Sequence, residues 1–85
     1  MNIKLKLRSK AKTLEPIVRI GKNGLTEGTL NEIKLQLKKK KLIKIKLLKS
    51  FVQDKDRKEL AKKVSSLTNS EIIESVGFII VLYKK

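Results

Sequence analysis

The run Ile20-Gly21-Lys22-Asn23-Gly24-Leu25-Thr26-Glu27-Gly28 sets two glycines around Lys22 and Asn23, between a β-branched segment and the start of an amphipathic one. This spacing suits a phosphate group. Glycine has no Cβ to hold a polyanion's backbone away, and it takes positive φ where a turn demands it, so main-chain amides can face outward. A helix that begins just after the loop adds unpaired N–H groups and the positive end of its dipole. Lys22 supplies a mobile full charge. The same residues also read as a plain glycine turn between a strand and a helix, and the rest of the chain decides between the two.

The 85 residues are 40% hydrophobic, enough for one compact domain, 1–85, and too few for two. Their formal net charge is +14. That exceeds what solubility requires and makes the chain repel itself, so a polyanionic partner is the economical explanation. The charge is lopsided: residues 1–49 hold fifteen Lys and Arg against three acids, whereas residues 50–85 hold seven against five. Lysine-rich surfaces built for heat resistance come with matching glutamates for ion-pair networks, and here the acids are missing. Cysteine and histidine are both absent, which removes thiolate chemistry, the commonest general base and the commonest transition-metal ligand. An enzyme is not expected, nor is a catalytic residue, metal or other cofactor. No segment approaches the roughly 18 apolar residues of a membrane span and no apolar stretch follows Met1 as in a secretory leader, so a cytoplasmic protein without a membrane partner is expected.

The periodicity predicts the elements that position the loop. Ile3, Leu7, Ala11 and Leu14 share a helical stripe, although Ile3, Leu5 and Leu7 also alternate like a strand; helix is preferred, ended by Pro16. Residues 17–20 form a short strand. After the glycine loop, Leu30, Ile33 and Leu37 keep helical spacing behind Thr26 or Thr29 as N-cap, and Lys38, Lys39, Lys40 and Lys41 close that helix. One or two lysines would complement the dipole there; four lean towards a contact patch. Residues 42–48 form a strand with Ile43, Ile45 and Leu47 on the core face and Lys44 and Lys46 on the other. Asp54 or Asp56 caps a helix through residue 67 with Leu60, Ala61, Val64 and Leu67 as its stripe. Strands follow at 71–76 and 78–83, hinged at Gly77. The expected order is α-β-α-β-α-β-β, an α/β (α+β) domain. Helical crossovers return strands parallel, the last strand turns back, and its all-apolar sequence places it in the interior, giving a four-stranded mixed sheet of order 1-2-4-3.

The block from Leu14 through Gly28, with Leu42-Ile43-Lys44-Ile45-Lys46 and the terminal Ile80-Val81-Leu82-Tyr83, closely resembles the YhbY-like family, the stand-alone form of the CRM (chloroplast RNA splicing and ribosome maturation) domain. The resemblance implies an RNA-binding domain whose sheet is similar to that of the C-terminal domain of the third bacterial initiation factor. It also implies work on precursors of the large ribosomal subunit. Carried over by position, Gly21, Lys22, Asn23 and Gly24 match the family's loop, Arg8 and Lys10 lie where the first helix is basic, and Lys44 and Lys46 lie in the strand after the second helix.

The expected function is therefore backbone binding of ribosomal or pre-ribosomal RNA by a monomer, with no small-molecule substrate. The loop and Lys22 are to hold phosphates, Arg19 to make a bidentate contact, and Arg8, Lys10, Lys12 and Lys38 to Lys41 to supply the attracting field. Phe51, Phe78 and Tyr83 are the only aromatics, too few and too apolar in setting for a stacking platform. Two rivals share the charge and size: a permanent component of the ribosome and an architectural protein of duplex DNA. Metal-assisted chemistry on Asp54, Asp56 and Glu59 is set aside in favour of helix capping. Because the loop is expected to be exposed, Gly24→Asp is expected to spare the fold and weaken RNA binding.

Overall fold

A computed structural model describes residues 3–22, 24–52 and 56–84. The elements are α1 (Ile3–Ala11), β1 (Val18–Ile20), α2 (Glu27–Lys40), β2 (Leu42–Leu47), α3 (Lys49–Val52), α4 (Arg57–Leu67), β3 (Glu71–Val76) and β4 (Ile79–Tyr83). The four strands form one sheet in the order β1-β2-β4-β3, as the apolar last strand requires. β1 runs parallel to β2, and β4 is antiparallel to both β2 and β3. Three strands thus point one way and β4 the other.

Alternation along β2 divides its side chains between two faces. Ile43, Ile45 and Leu47 are buried on the inner face, with Val18 and Ile20 of β1 and Ile80 and Leu82 of β4. α2 covers them with Ile33 and Leu37, and α4 with Leu60, Ala61 and Val64. Leu67, expected on the apolar stripe of α4, instead faces outward, as does Leu35 on α2. α1 lies on the other side of the sheet, where Ala11 packs with Ile73 and Val81, and Leu7, Leu42 and Tyr83 close around them. The sheet is therefore covered on both faces, which is why β4 reads as an unbroken apolar run.

Several boundaries differ from expectation for local reasons. The first helix stops at Ala11 instead of reaching residue 14. A tighter turn follows, in which the Lys12, Thr13 and Leu14 amides donate three residues back, and the Thr13 hydroxyl donates to the Lys10 carbonyl at 2.9 Å. Ile3 and Leu5, which alternate like a strand, are 60% and 56% exposed and Leu14 is exposed as well, so only Leu7 and Ala11 of the helical stripe are used. Residues 49–52, given no element from the sequence, form α3 and bury Phe51 and Val52. Asp56 is the N-cap of α4, accepting from the Lys58 amide at 2.9 Å; Asp54 lies outside the described residues. Thr26 is the N-cap of α2, its hydroxyl accepting from the Thr29 amide.

Lys41 ends α2 at φ +69 and ψ −40, and its amide donates to the Leu37 carbonyl at 2.8 Å. A side chain with a Cβ is strained there. Lys41→Gly is expected to stabilise the domain by about 1 kcal/mol, read as a rise in Tm of roughly 4–8 °C.

Candidate nucleic-acid interface

The parallel pairing of β1 with β2 decides what surrounds the glycine loop. Ile20 is registered with Leu47, and the Leu48 amide donates to the Ile20 carbonyl at 2.8 Å. The chain leaving β1 and the chain leaving β2 therefore touch. A Cβ on Gly21 would stand 3.0 Å from Leu48 Cδ1 and 3.9 Å from Ser50 Oγ. Gly24 has φ +69, and a Cβ there would meet Phe51 Cε1 at 3.3 Å. Both glycines are half-buried against neighbouring side chains, while Lys22 between them is exposed. Asn23 lies outside the described residues.

This geometry corrects the exposed-loop expectation for Gly24, because the inner side of the turn packs on the core residue Phe51. It also limits how many amides the loop can offer. The Gly24 amide donates to the Gly21 carbonyl at 2.9 Å, and the Thr26 amide to the Gly24 carbonyl at 3.1 Å. The start of α2 carries Glu27 in its first turn, which already complements the dipole. Lys22 thus stands as the exposed full positive charge of the loop.

The sheet sorts the other basic residues by place. The carboxyl ends of β1, β2 and β3 share one end of the sheet with the glycine loop, since Ile20 pairs with Leu47, and Lys46 and Val76 both pair with Ile79. Arg19 and Lys46 are partners there, both exposed on the α1 side. Lys49 follows Leu48 at the same end, exposed. Arg57, at the start of α4, is held with its guanidinium carbon 5.1 Å above the Phe78 ring, a cation–π contact. Lys49 and Arg57 escaped the sequence reading; the signal for Lys49 was the parallel register, which sets Leu48, the residue after β2, against Gly21, the residue after β1, with Lys49 next in the chain.

Lys38, Lys39 and Lys40, at the last turn of α2, are exposed at the opposite end, where Lys41 is tied to the chain terminus by the Lys84 amide donating to its carbonyl at 2.8 Å. The fourteen residues of α2 separate the two groups by about 20 Å. Lys10 and Lys12 are exposed at the end of α1. Lys44 is half-buried. Arg8 is partly engaged: its Nε lies 3.6 Å from Glu74 Oε1 without a hydrogen bond. Of the predicted contact residues, Lys22, Arg19 and Lys46 thus form a loop-end group and Lys38 to Lys41 a far-end group.

Among the described residues, no three acidic side chains gather as metal ligands, and no helix is long and apolar enough to cross a membrane. The sequence profile of the CRS1/YhbY (CRM) domain matches residues 2–84. The chain belongs to the CRS1/YhbY (CRM) family. Its CRM relatives include proteins of Methanocaldococcus jannaschii and Bacillus subtilis, both named probable RNA-binding proteins. The first is 38% identical over 96% of this chain and 60% of its own length; the second is 34% identical over 93% and 80%. The chain thus spans less than two thirds of the archaeal relative. A solution structure from Staphylococcus aureus, described as that of a putative RNA binding protein, superposes with a TM-score of 0.78 at 39% identity, covering 96% of this chain and 83% of that one.

Proposed function

We propose that this CRM domain binds RNA through the sugar–phosphate backbone, with Lys22, Arg19, Lys46 and Lys49 as the principal contacts and the Lys38 to Lys41 run as a second, distant anchor. The observation that carries this reading is the gathering of exposed cations at the end of the sheet where β1 turns into the glycine loop. The names of the relatives point to the same ligand. The glycines let the chains after β1 and β2 approach closely, so that Gly21 lies against Leu48 and Ser50, the residues on either side of Lys49. The family resemblance adds the destination: precursors of the large ribosomal subunit in the cytoplasm, met by a monomer acting as an assembly factor.

Salt dependence tests the binding mode. If about five phosphates are neutralised, log affinity for single-stranded RNA falls against log salt with a slope near −3.5. A slope near zero overturns backbone binding, and stronger competition by a DNA duplex than by the matched RNA duplex moves the ligand to duplex DNA. The destination has its own measurement: an assembly factor is enriched on precursor particles and stripped from mature subunits by high salt, whereas a ribosomal component remains at one copy per particle.

A further inference from the structure

α1 stops short of the loop end of the sheet. Beyond Ala11, which packs on Ile73 and Val81, the outer face is open: Val76 is 61% exposed, and Lys46 and Arg19 are exposed with it. The register orders the side chains on this face. Arg19, Lys46, Ile79 and Val76 are successive partners across all four strands, and Lys44, Val81 and Glu74 form the next row. With strands about 4.8 Å apart, the first row is roughly 14 Å long. Its β1–β2 half is cationic and its β4–β3 half aliphatic. A groove of about 260 Å³ lies over the aliphatic half, lined by Lys12, Lys44, Glu74, Val76, Ile79 and Val81.

The geometry points to this groove as the seat of one unstacked nucleobase of the bound RNA, a reading that rests on the RNA binding proposed above. Its volume falls below the roughly 300 Å³ at which pockets for whole small molecules begin. Ile79, Val76 and Val81 offer an apolar floor to the face of a base, the kind of surface on which extruded bases rest. Lys12 and Lys44 stand beside that floor for the flanking phosphates, and Lys46 and Arg19 continue the cationic track towards the loop. A second copy of this chain would bring the same cations against them, so charge complementarity selects the polyanion. Glu74, steadied by Arg8 at 3.6 Å, is the acceptor on the groove wall. A carboxylate there pairs with amino groups on a base edge, which favours cytosine over uracil, whose edge has a carbonyl in place of the amino group.

Fluorescence anisotropy with three octamers of equal charge, made of cytidine, uridine or abasic ribose phosphate, tests the assignment. The cytidine octamer is expected to bind about tenfold more tightly than the abasic one and about threefold more tightly than the uridine one. Val76→Asn, at an exposed site, should reduce the preference over the abasic octamer below threefold at unchanged Tm and unchanged abasic affinity. Glu74→Gln should erase the preference for cytidine over uridine. Lys22→Glu should weaken all three octamers by one common factor. Equal binding of cytidine and abasic octamers by the unmodified protein overturns the base seat and leaves backbone binding standing, whereas no binding of any octamer overturns both. A base preference untouched by Val76→Asn also overturns it, as does a dimer in sedimentation that Val76→Asn dissociates.

Discussion

Gly24→Asp is expected to lower the stability of the domain by about 2–3 kcal/mol, a fall in Tm of roughly 10–20 °C for a chain of this size. Two independent effects add. At φ +69 a residue with a Cβ meets the left-handed penalty of about 1–2 kcal/mol, reduced for aspartate by its local hydrogen bonding. The new Cβ would also stand 3.3 Å from Phe51 Cε1, and Phe51 belongs to the main core cluster, so the ring has to shift and a carboxylate is set against apolar surface. Gly24→Ala keeps the first effect and drops the carboxylate, and should lose about 1–2 kcal/mol. Thermal unfolding followed by circular dichroism measures both. An unchanged Tm for Gly24→Asp would mean that the turn does not bear on Phe51. The consequence for function is direct: loss of RNA binding in this variant reports folding together with contact, so the loop's charge has to be tested at Lys22.

The fold was legible because its strongest signals were redundant. β4 carries Ile80 and Leu82 on one face and Val81 on the other, all buried, and an apolar run of that kind has only the sheet interior to go to. The crossovers through α2 and α4 then set the common direction of β1, β2 and β3, and with β4 inside they fix the order of all four strands. α3 was illegible because four residues are too short for a period; only the doublet Phe51-Val52 hinted that the chain dips back into the core. The start of α1 was ambiguous because Ile3 and Leu5 are both largely exposed, so nothing buried selects a strand or a helix pattern there.

The site was half legible. That Lys22 stands out from the loop followed from the glycine spacing, because a turn of that kind leaves the side chain between its glycines on the outside. That Gly24 packs on Phe51 did not follow, since residues 24 and 51 are brought together only by α3. The reach of the loop's amides was also overestimated. A closed turn uses the Gly24 N–H internally at 2.9 Å, and a pattern of residue types does not report internal hydrogen bonds. Similarly, fifteen basic residues in the first 49 read as one patch in the sequence, whereas α2 carries its terminal lysines to the far end of the sheet.

This division sets the second large effect. The pair Lys22→Glu and Lys49→Glu is expected to weaken RNA binding by roughly thirtyfold to a hundredfold near physiological salt, because two phosphate contacts are replaced by repulsion at the loop end. The salt slope should fall by about 1.4 for a single-stranded ligand. The pair Lys39→Glu and Lys40→Glu changes net charge by the same amount, yet on a short oligonucleotide it should cost only about threefold to fivefold, since its effect there is confined to the long-range field, screened beyond about 8 Å in physiological salt. On RNA long enough to span the roughly 20 Å between the two groups, the second pair should approach the first. All four positions are exposed, so Tm should stay within a few degrees in both variants. Anisotropy titrations with a short and a long RNA separate the cases. Equal losses for both pairs on the short RNA would show that total charge alone governs affinity, and the loop end would lose its claim to be the principal contact.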